Sequence, residues 1–349
     1  MRRVSAPVLV PLFALAALGA CAQNPSDAGV APPPEVSPVD ERSFSAERAY
    51  RHLEALAGIG SRAAGTPGAE RARAYIRGEL EALGLQVGGF PLRVDLADGE
   101  SFELESLIAA IPGASPDVFA LVAPYDTQYF ETFDFVGANG GASGSALLLE
   151  LARVLSQRPL HYAVWLVFLE GEAPFGRGRP DEATTAWRAS SELARAWAED
   201  GQLDRVRLLV YVDQVGDADL RIARDLRSHR GYRETFWDAA QSLGQEEAFP
   251  RSQHFESPAA GHLAFIARGL RRSVLLMDTS FGGDEPPGLY AGTEDDTLQR
   301  CSPESLGAVG QVAQAALEEI SARLAKIDRF ADAPVDAPTE APRPIPPPR

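Results

Sequence analysis

The chain has 349 residues, of which 45% are hydrophobic and 23% are charged, as is usual for a soluble globular protein with one large domain or two ordinary ones. Its formal net charge of −16 argues against a nucleic-acid partner, because phosphates require a basic binding face. The sequence contains no internal repeat.

The first twenty residues predict a signal peptide rather than part of the fold. Two arginines follow the initial methionine, and the apolar run over residues 8–18 is too short to span a bilayer. The run ends in LGAC, which resembles a bacterial lipobox and implies cleavage before Cys21 and lipidation of its thiol. The alternative is an ordinary signal peptide that is cut near Ala22. Because Ala22 rather than Asp follows the lipidated cysteine, we expect a lipid anchor in the bacterial cell envelope, on the periplasmic side of an outer membrane if the cell has one.

Both ends of the mature chain are rich in proline and poor in apolar residues. Residues 21–42 include QNPSDAGVAPPPEVSPVDE, and residues 329–349 end in APRPIPPPR. Neither can bury enough apolar surface to order itself, so we predict a flexible tether and a disordered tail on either side of one domain, 43–328. The domain then holds a single cysteine, Cys301, which predicts a buried or partly buried structural thiol and no internal disulfide.

Within the domain, predicted helices and strands alternate. A first helix follows Ser45, a candidate N-cap, and a second covers residues 69–85. The next two segments, QVGGFPLRVDL and SFELESLIAAI, are expected to be strands that pair. Buried strands are then predicted in VFALVAPYD, HYAVWLVFLEGE, RVRLLVYVDQVG and SVLLMDTS, and helices in ASGSALLLELARVL, ATTAWRASSELARAWAE, PAAGHLAFIARG and PESLGAVGQVAQAALEEISARLAKI. This order predicts an α/β fold with a mainly parallel central sheet that is covered by helices on both faces.

The ends of the predicted parallel strands are the first place to look for chemistry. In such sheets, ligands bind beyond the carboxyl ends of the strands. That rule selects residues 124–126, residues 170–172, Asp213 with Gln214, and the loop after Asp278. Acidic residues stand at strand ends among these positions, and all four places are candidates for a functional site.

The motifs at these strand ends resemble those of zinc-dependent aminopeptidases and glutaminyl cyclases. APYDTQYFETFDFVGANGGASGS is similar to their His-Tyr-Asp, Phe-Val-Gly-Ala and Asp-containing Gly/Ser loop, and LVFLEGEAPFG to their strand that ends in Gly-Glu-Glu. YAGTEDDTLQRCSPESL resembles their closing His-Thr…Asp-Thr…Ser-Pro-Glu-Ser-Leu segment, and YDTQYF and FVGA favour the glutaminyl-cyclase branch. The resemblance covers nearly the whole domain and implies the zinc-exopeptidase fold.

The resemblance also implies a zinc centre with five protein positions and a separate glutamate as general base. The base falls on Glu172, and the ligand positions fall on Pro124, Gly140, Ala173, Asp213 and Gly292. Zinc takes about four ligands from His, Cys and carboxylate side chains, and only Asp213 offers one. We therefore expect that this chain has lost the zinc and has no cofactor, and that Glu172 is a vestigial base.

A residual binding site is expected in the same place. Its candidate residues are Tyr125, Asp126, Asp213 and His262, although the sequence favours a packed helix histidine for His262 over a binding role. A candidate apolar wall, which could instead be core or lid packing, consists of Tyr125, Tyr129, Phe130, Phe133, Phe175 and Tyr290.

Other chemistries fit the sequence less well. An all-oxygen site for Ca²⁺ or Mg²⁺ would draw on Asp126, Glu172, Asp213, Asp295 and Asp296. Ser143 is a poor nucleophile candidate because GASGS departs from G-x-S-x-G.

Three functional hypotheses result. The first is a noncatalytic exported lipoprotein that binds a peptide or a partner protein. The second is an active metallo-aminopeptidase or glutaminyl-peptide cyclotransferase with replacement ligands, and the third is a structural envelope protein.

Overall fold

The computed structural model describes residues 42–95, 99, 101–175, 186–257 and 260–331. The predicted signal peptide, the lipidated Cys21, nearly all of the tether and the tail beyond residue 331 lie outside these residues. Within the described segments, no helix combines the length and the hydropathy that crossing a bilayer requires.

Helices and strands alternate along the described chain as predicted. The helices are α1 (Ala46–Ala57), α2 (Pro67–Ala82), α3 (Gly144–Ser156), α4 (Arg188–Glu199), α5 (Gln202–Arg205), α6 (Arg230–Ser242), α7 (Gly261–Ala267) and α8 (Pro303–Ala331). The strands are β1 (Val87–Asp95), β2 (Ser101–Ile111), β3 (Ser115–Pro124), β4 (Tyr162–Leu169), β5 (Val206–Asp213), β6 (Arg224–Asp225), β7 (His254–Phe255) and β8 (Ser273–Met277). Helix α8 runs to Ala331, three residues beyond the predicted end of the domain.

The central sheet has the strand order β1-β2-β4-β3-β5-β8. Strands β4, β3, β5 and β8 are parallel, whereas β1 and β2 add an antiparallel hairpin at one edge. A mainly parallel sheet is therefore confirmed, and so is the pairing of the two strands that precede β3. A separate small parallel pair joins β6 and β7.

Helices cover both faces of this sheet because its strands are apolar on both sides. Along β3, Phe119, Leu121 and Ala123 pack into a core with α1, α2, α3, α6 and α8. The alternate residues Ala120 and Val122 pack into a second core with α4 and α7. This alternation follows from the two-residue period of a strand and gives the predicted three-layer architecture.

Local signals explain several helix boundaries. The hydroxyl of Ser45 accepts a hydrogen bond from the backbone N–H of Arg48, so the predicted N-cap of α1 is confirmed. Helix α6 was not predicted from the sequence, although its inward face is strongly apolar and includes Phe236 and Trp237. Its N-cap is His229, whose ring accepts a hydrogen bond from the N–H of Tyr232, and histidine is not one of the residues on which a cap is usually recognised.

The connections around β3 create a crevice at its carboxyl end. The chain leaves β3 through α3 on one face of the sheet to reach β4, and it leaves β4 through α4 on the other face to reach β5. Since β3 lies between β4 and β5, the two connections diverge above it. Ligand sites in open α/β sheets form at such switch points.

Candidate functional site

A pocket of about 210 Å³ lies at the carboxyl ends of β3, β4, β5 and β8. All five positions that the resemblance assigns to zinc ligands line it, together with Glu172; they are Pro124, Gly140, Ala173, Asp213 and Gly292. Residues that are far apart in the chain thus come together at the carboxyl ends of the parallel strands, where a site is expected in such sheets. The carboxylates of the pocket come from Asp126, Glu172, Asp213 and Asp296.

Glu172, the position of the general base, is tied to protein donors. Its carboxylate accepts hydrogen bonds from the Ser190 backbone N–H at 2.7 Å, the Ser190 hydroxyl at 2.5 Å and the Tyr211 hydroxyl at 2.6 Å. Burial raises the pKa of Glu172, and the three hydrogen bonds oppose that rise. Gly261 is needed beside it, because a Cβ there would lie 2.5 Å from Glu172 Oε2.

Asp126 holds the loop that follows β4. Its carboxylate accepts hydrogen bonds from the backbone N–H groups of Glu172 at 3.3 Å and Ala173 at 3.1 Å. Burial, with the nearby charges of Glu172 and Glu170, raises the pKa of Asp126 well above its usual value. Asp126 therefore fixes the backbone under the pocket.

Two further carboxylates of the pocket come from Asp213, the last residue of β5, and from Asp296, in the segment before α8. Asp213 accepts a hydrogen bond from the N–H of Gln214 at 2.9 Å, and burial raises its pKa to about 7. Asp296 accepts hydrogen bonds from Asn139 N–H at 2.6 Å and Gly140 N–H at 3.1 Å, and burial raises its pKa to about 6. Asp295 was also a candidate ligand of the all-oxygen site. Its side chain is 64% exposed, and it does not line the pocket.

The glycine-rich loop before α3 is packed tightly under the pocket. Residues Asn139–Ser143 form a π-helical turn in which Gly141 has φ +86°, and a Cβ on Gly141 would lie 2.0 Å from the Asp126 carbonyl oxygen. The buried hydroxyl of Ser143 donates to the Asn139 carbonyl at 2.7 Å and accepts from Val215 N–H at 3.0 Å. Ser143 is therefore structural, as its departure from the nucleophile motif indicates.

Arg62, which the sequence did not single out, supports these loops from below. It is fully buried and donates hydrogen bonds to backbone carbonyls, including those of Tyr125, Val136 and Gly137. Burial lowers its pKa to about 10, and the charges of Asp296 and Asp126 oppose that fall. A buried positive charge thus lies under the acidic pocket.

Two predicted binding residues, Tyr125 and His262, do not line the pocket. Tyr125 follows Pro124 on the strand and so points to the opposite side, where its buried hydroxyl lies 2.7 Å from Glu170 Oε2. The ring of His262 is fully buried, and its Nε2 lies 3.1 Å from Asp225 Oδ2. Tyr125 therefore belongs to the core rather than to the pocket, and His262 occupies the packed helix position that the sequence favoured for it.

The predicted apolar wall also needs correction. Phe130 and Phe133 stack on each other at 4.5 Å outside the pocket, and Tyr129 does not line it. Phe175 packs in a small core beside Phe102, and Tyr290 packs under the guanidinium of Arg300. The sequence did not show which side chains face the pocket. The apolar and aromatic wall is formed by Phe135, Trp187, Tyr211 and Met277.

Two residues that line the pocket have an unusual backbone conformation. Trp187, with φ 57°, and Gln214, with φ 49°, are the non-glycine residues with positive φ in the described segments, and both line the pocket. Each such conformation costs about 1–3 kcal/mol and tends to occur at functional sites. No signal in the sequence distinguishes them, because positive φ is recognised from glycine or asparagine.

The residues at the five implied ligand positions do not form a donor set that fits zinc. Proline, two glycines and alanine offer no side-chain donor at four of the five implied positions, whereas zinc requires about four. Throughout the described segments, no three His, Cys, Asp or Glu side chains are grouped so that they could hold a metal ion. The geometry thus gives no support to the replacement all-oxygen site.

Comparisons with curated proteins find relatives that match parts of the chain. Among curated proteins, the chain is 32% identical over 119 residues to a glutaminyl-peptide cyclotransferase of Drosophila melanogaster, covering 33% of each chain. It is 24% identical over 173 residues to an uncharacterized protein of Saccharomyces cerevisiae, covering 44% of this chain and 47% of the yeast protein. The matched segments therefore span less than half the length of these relatives.

Solved structures match over a longer part of the chain. An Acidobacteriales bacterium glutaminyl cyclase superposes with a TM-score of 0.74 at 28% identity and covers 83% of this chain and 98% of its own. A Porphyromonas gingivalis glutaminyl cyclase, with a TM-score of 0.71 at 22% identity and coverages of 79% and 99%, shows the same fold. Residues 106–317, more than half of the sequence, match peptidase family M28. The chain belongs to peptidase family M28.

Proposed function

We propose that this chain is a noncatalytic member of the family that binds the amino-terminal end of a peptide or protein in the pocket. One observation carries the proposal. The five implied ligand positions converge on a single pocket, yet only Asp213 among them bears an atom that could bind zinc. The pocket is present, but four of the five implied zinc-ligand positions have no side-chain donor. This combination favours ligand binding without metal chemistry.

The contacts of Glu172 support the absence of catalysis. A general base in such a site needs a metal-activated water to deprotonate. Here the carboxylate of Glu172 is engaged by the Ser190 backbone and hydroxyl and by Tyr211. Glu172 then acts as the anchor between β4, β5 and the start of α4.

The remaining pocket suits one amino-terminal residue. Asp213 and Asp296 offer carboxylates whose pKa values burial raises to about 7 and about 6, and a bound ammonium group would favour their charged forms. Phe135, Trp187 and Met277 offer apolar surface beside them. The volume of about 210 Å³ lies below the ~300–1,000 Å³ of drug-sized pockets. It fits a single side chain with its α-ammonium.

An active enzyme is the alternative function. Family membership and the retained Glu172 favour it, and the similar structures include glutaminyl cyclases and a leucine aminopeptidase precursor from Bacteroides thetaiotaomicron. Activity would require ligands recruited from outside the five positions.

Zinc content and turnover, measured together, separate the two. We expect purified protein to contain well under one zinc equivalent and to turn over neither an aminopeptidase substrate nor an amino-terminal glutaminyl peptide, with or without added zinc. The same protein should bind free-amino peptides saturably. Stoichiometric zinc together with turnover would establish the alternative, and a lack of any saturable peptide binding would refute the proposed ligand.

We also propose that the protein is anchored in the cell envelope through a lipid on Cys21. The LGAC motif carries this proposal. Mass spectrometry of the mature amino terminus should find diacylglycerol on Cys21, and an unmodified Ala22 terminus would contradict it.

A further inference from the structure

Trp187 occupies a left-handed backbone conformation although its side chain is among the largest. Its φ of 57° and ψ of 27° suit glycine or asparagine, whereas a bulky residue rarely adopts them. Among the residues that the structure describes, Trp187 is only half-buried, and it lines the pocket. The residue is therefore placed where it could contact a bound ligand.

Backbone hydrogen bonds keep Trp187 in this conformation. Its N–H donates to the Glu172 carbonyl at 3.0 Å, and the N–H groups of Arg188 and Ala189 donate to the Gly171 carbonyl at 2.9 and 3.3 Å. The Ser190 N–H and hydroxyl then hold the Glu172 carboxylate. The start of α4 is thus fastened to the loop after β4, and the indole is fixed at the pocket.

Gln214 repeats this pattern on the other side of β3. It follows β5, has φ 49° and also lines the pocket. Its N–H donates to Asp213 and its carbonyl accepts from Asp278 N–H at 3.2 Å, so the backbone is held at both ends. Among the described residues, no hydrogen bond is found for the Gln214 side-chain amide or for the Trp187 indole N–H.

We propose that Trp187 and Gln214 determine which amino-terminal residue the pocket accepts. This inference rests on the proposed function. The indole of Trp187 packs against a large apolar or aromatic first side chain, and the amide of Gln214 hydrogen-bonds the first peptide group. Strained residues concentrate where the surrounding structure holds them for a function, and here both strained non-glycine residues face one pocket.

The two roles predict different effects on peptide binding. Calorimetric titration would compare the tetrapeptides Phe-Ala-Ala-Ala and Ala-Ala-Ala-Ala, each with a free and with an acetylated amino terminus. The wild type should bind the free Phe peptide at least tenfold more tightly than the Ala peptide. Trp187→Gly should bring that ratio close to one, whereas Gln214→Gly should weaken both free peptides by a similar factor and keep the ratio.

Stability separates recognition from structure. Glycine adopts positive φ without strain, so Trp187→Gly and Gln214→Gly should have urea midpoints equal to or above that of the wild type. Trp165→Phe, at a tryptophan packed on Trp197 away from the pocket, is the matched control and should leave both peptide affinities unchanged.

Three outcomes would overturn the inference. If Trp187→Gly fails to fold or loses stability, the indole is structural. If the variant folds and retains the tenfold preference, the ring does not select the ligand. If wild-type protein binds no free-amino peptide at all, both the proposed function and this inference are refuted. The first two outcomes refute the inference alone.

Discussion

The carboxylate of Asp296 lies beside the backbone of Gly140, where a side chain at that position would point. A Cβ built on Gly140 stands 3.2 Å from Asp296 Oδ2, and the Gly140 N–H already donates to the same oxygen. An acid at residue 140 would therefore meet a like charge. In this chain the Asp296 carboxylate accepts hydrogen bonds from the backbone of the loop in which the resemblance places a zinc ligand, at residue 140.

Restoring the missing donors should restore a metal site. We predict that the quadruple variant Pro124→His, Gly140→Asp, Ala173→Glu and Gly292→His binds one zinc ion, because all four positions line the pocket with Asp213. The backbone at Gly140 is ordinary, with φ −78°, whereas Gly292 has φ +68° and a histidine there is strained. The variant should thus be less stable without zinc and gain stability with it.

Thermal unfolding with and without zinc measures this coupling. The triple variant that keeps Gly292 serves as the control, and it should bind zinc more weakly. A folded quadruple variant that ignores zinc would show that the residue assignments are wrong.

Glu172 is expected to matter for stability. Its removal leaves the donors of Ser190 and Tyr211 without an acceptor, and a buried unsatisfied donor costs about 1–3 kcal/mol. Glu172→Ala should therefore lower the free energy of unfolding by about that amount in urea titrations. The exposed Glu199→Ala is the control and should change it by less than about 0.5 kcal/mol. Equal effects would mean that the Glu172 network contributes nothing.

Gly141 tests how tightly the loop is packed under the pocket. Gly141 and Gly201 share positive φ, but a Cβ on Gly141 would lie 2.0 Å from the Asp126 carbonyl oxygen and one on Gly201 would meet nothing within 4 Å. Gly201→Ala should cost only the left-handed strain of about 1–2 kcal/mol. Gly141→Ala should cost more than this and should perturb the pocket. Equal losses of unfolding free energy would show that the loop can move away.

The buried pair of Asp225 and His262 predicts a pH dependence of stability. Burial alone would raise the pKa of Asp225, but hydrogen bonds with His262 and Ser228 outweigh it and lower the pKa below 3.8. A lowered carboxyl pKa contributes stability that is present above pH 3.8 and is lost as the pH falls through the folded-state value. Asp225→Asn should thus be destabilising at pH 7, and its difference from wild type should shrink below about pH 4. A difference that is constant from pH 3 to 7 would contradict the assignment.

The sequence predicted the fold and the location of the site because both depend on patterns with a strong signal. Apolar strands of β3, β4, β5 and β8 alternating with helices indicate a parallel sheet, and the strand ends then locate the pocket. Motif order assigned residues as distant as Gly140 and Gly292 to one pocket, and the structure brings them together.

The side-chain environment of the pocket could not be predicted in the same way. Tyr125 and Pro124 are adjacent in sequence but point to opposite sides of β3. An error of one residue in the predicted strand register therefore moves a side chain from the core to the site. The burial of Arg62 and the left-handed backbone of Trp187 depend on contacts made by distant segments. No local pattern encodes such contacts.

The most direct test of the account is anomalous diffraction at the zinc absorption edge from crystals of the native protein grown with zinc present. The account predicts no anomalous peak in the pocket, because Asp213 is the single implied ligand position that carries a donor. A strong peak within about 2.0–2.3 Å of an Asp213 oxygen and of other protein ligands would contradict it.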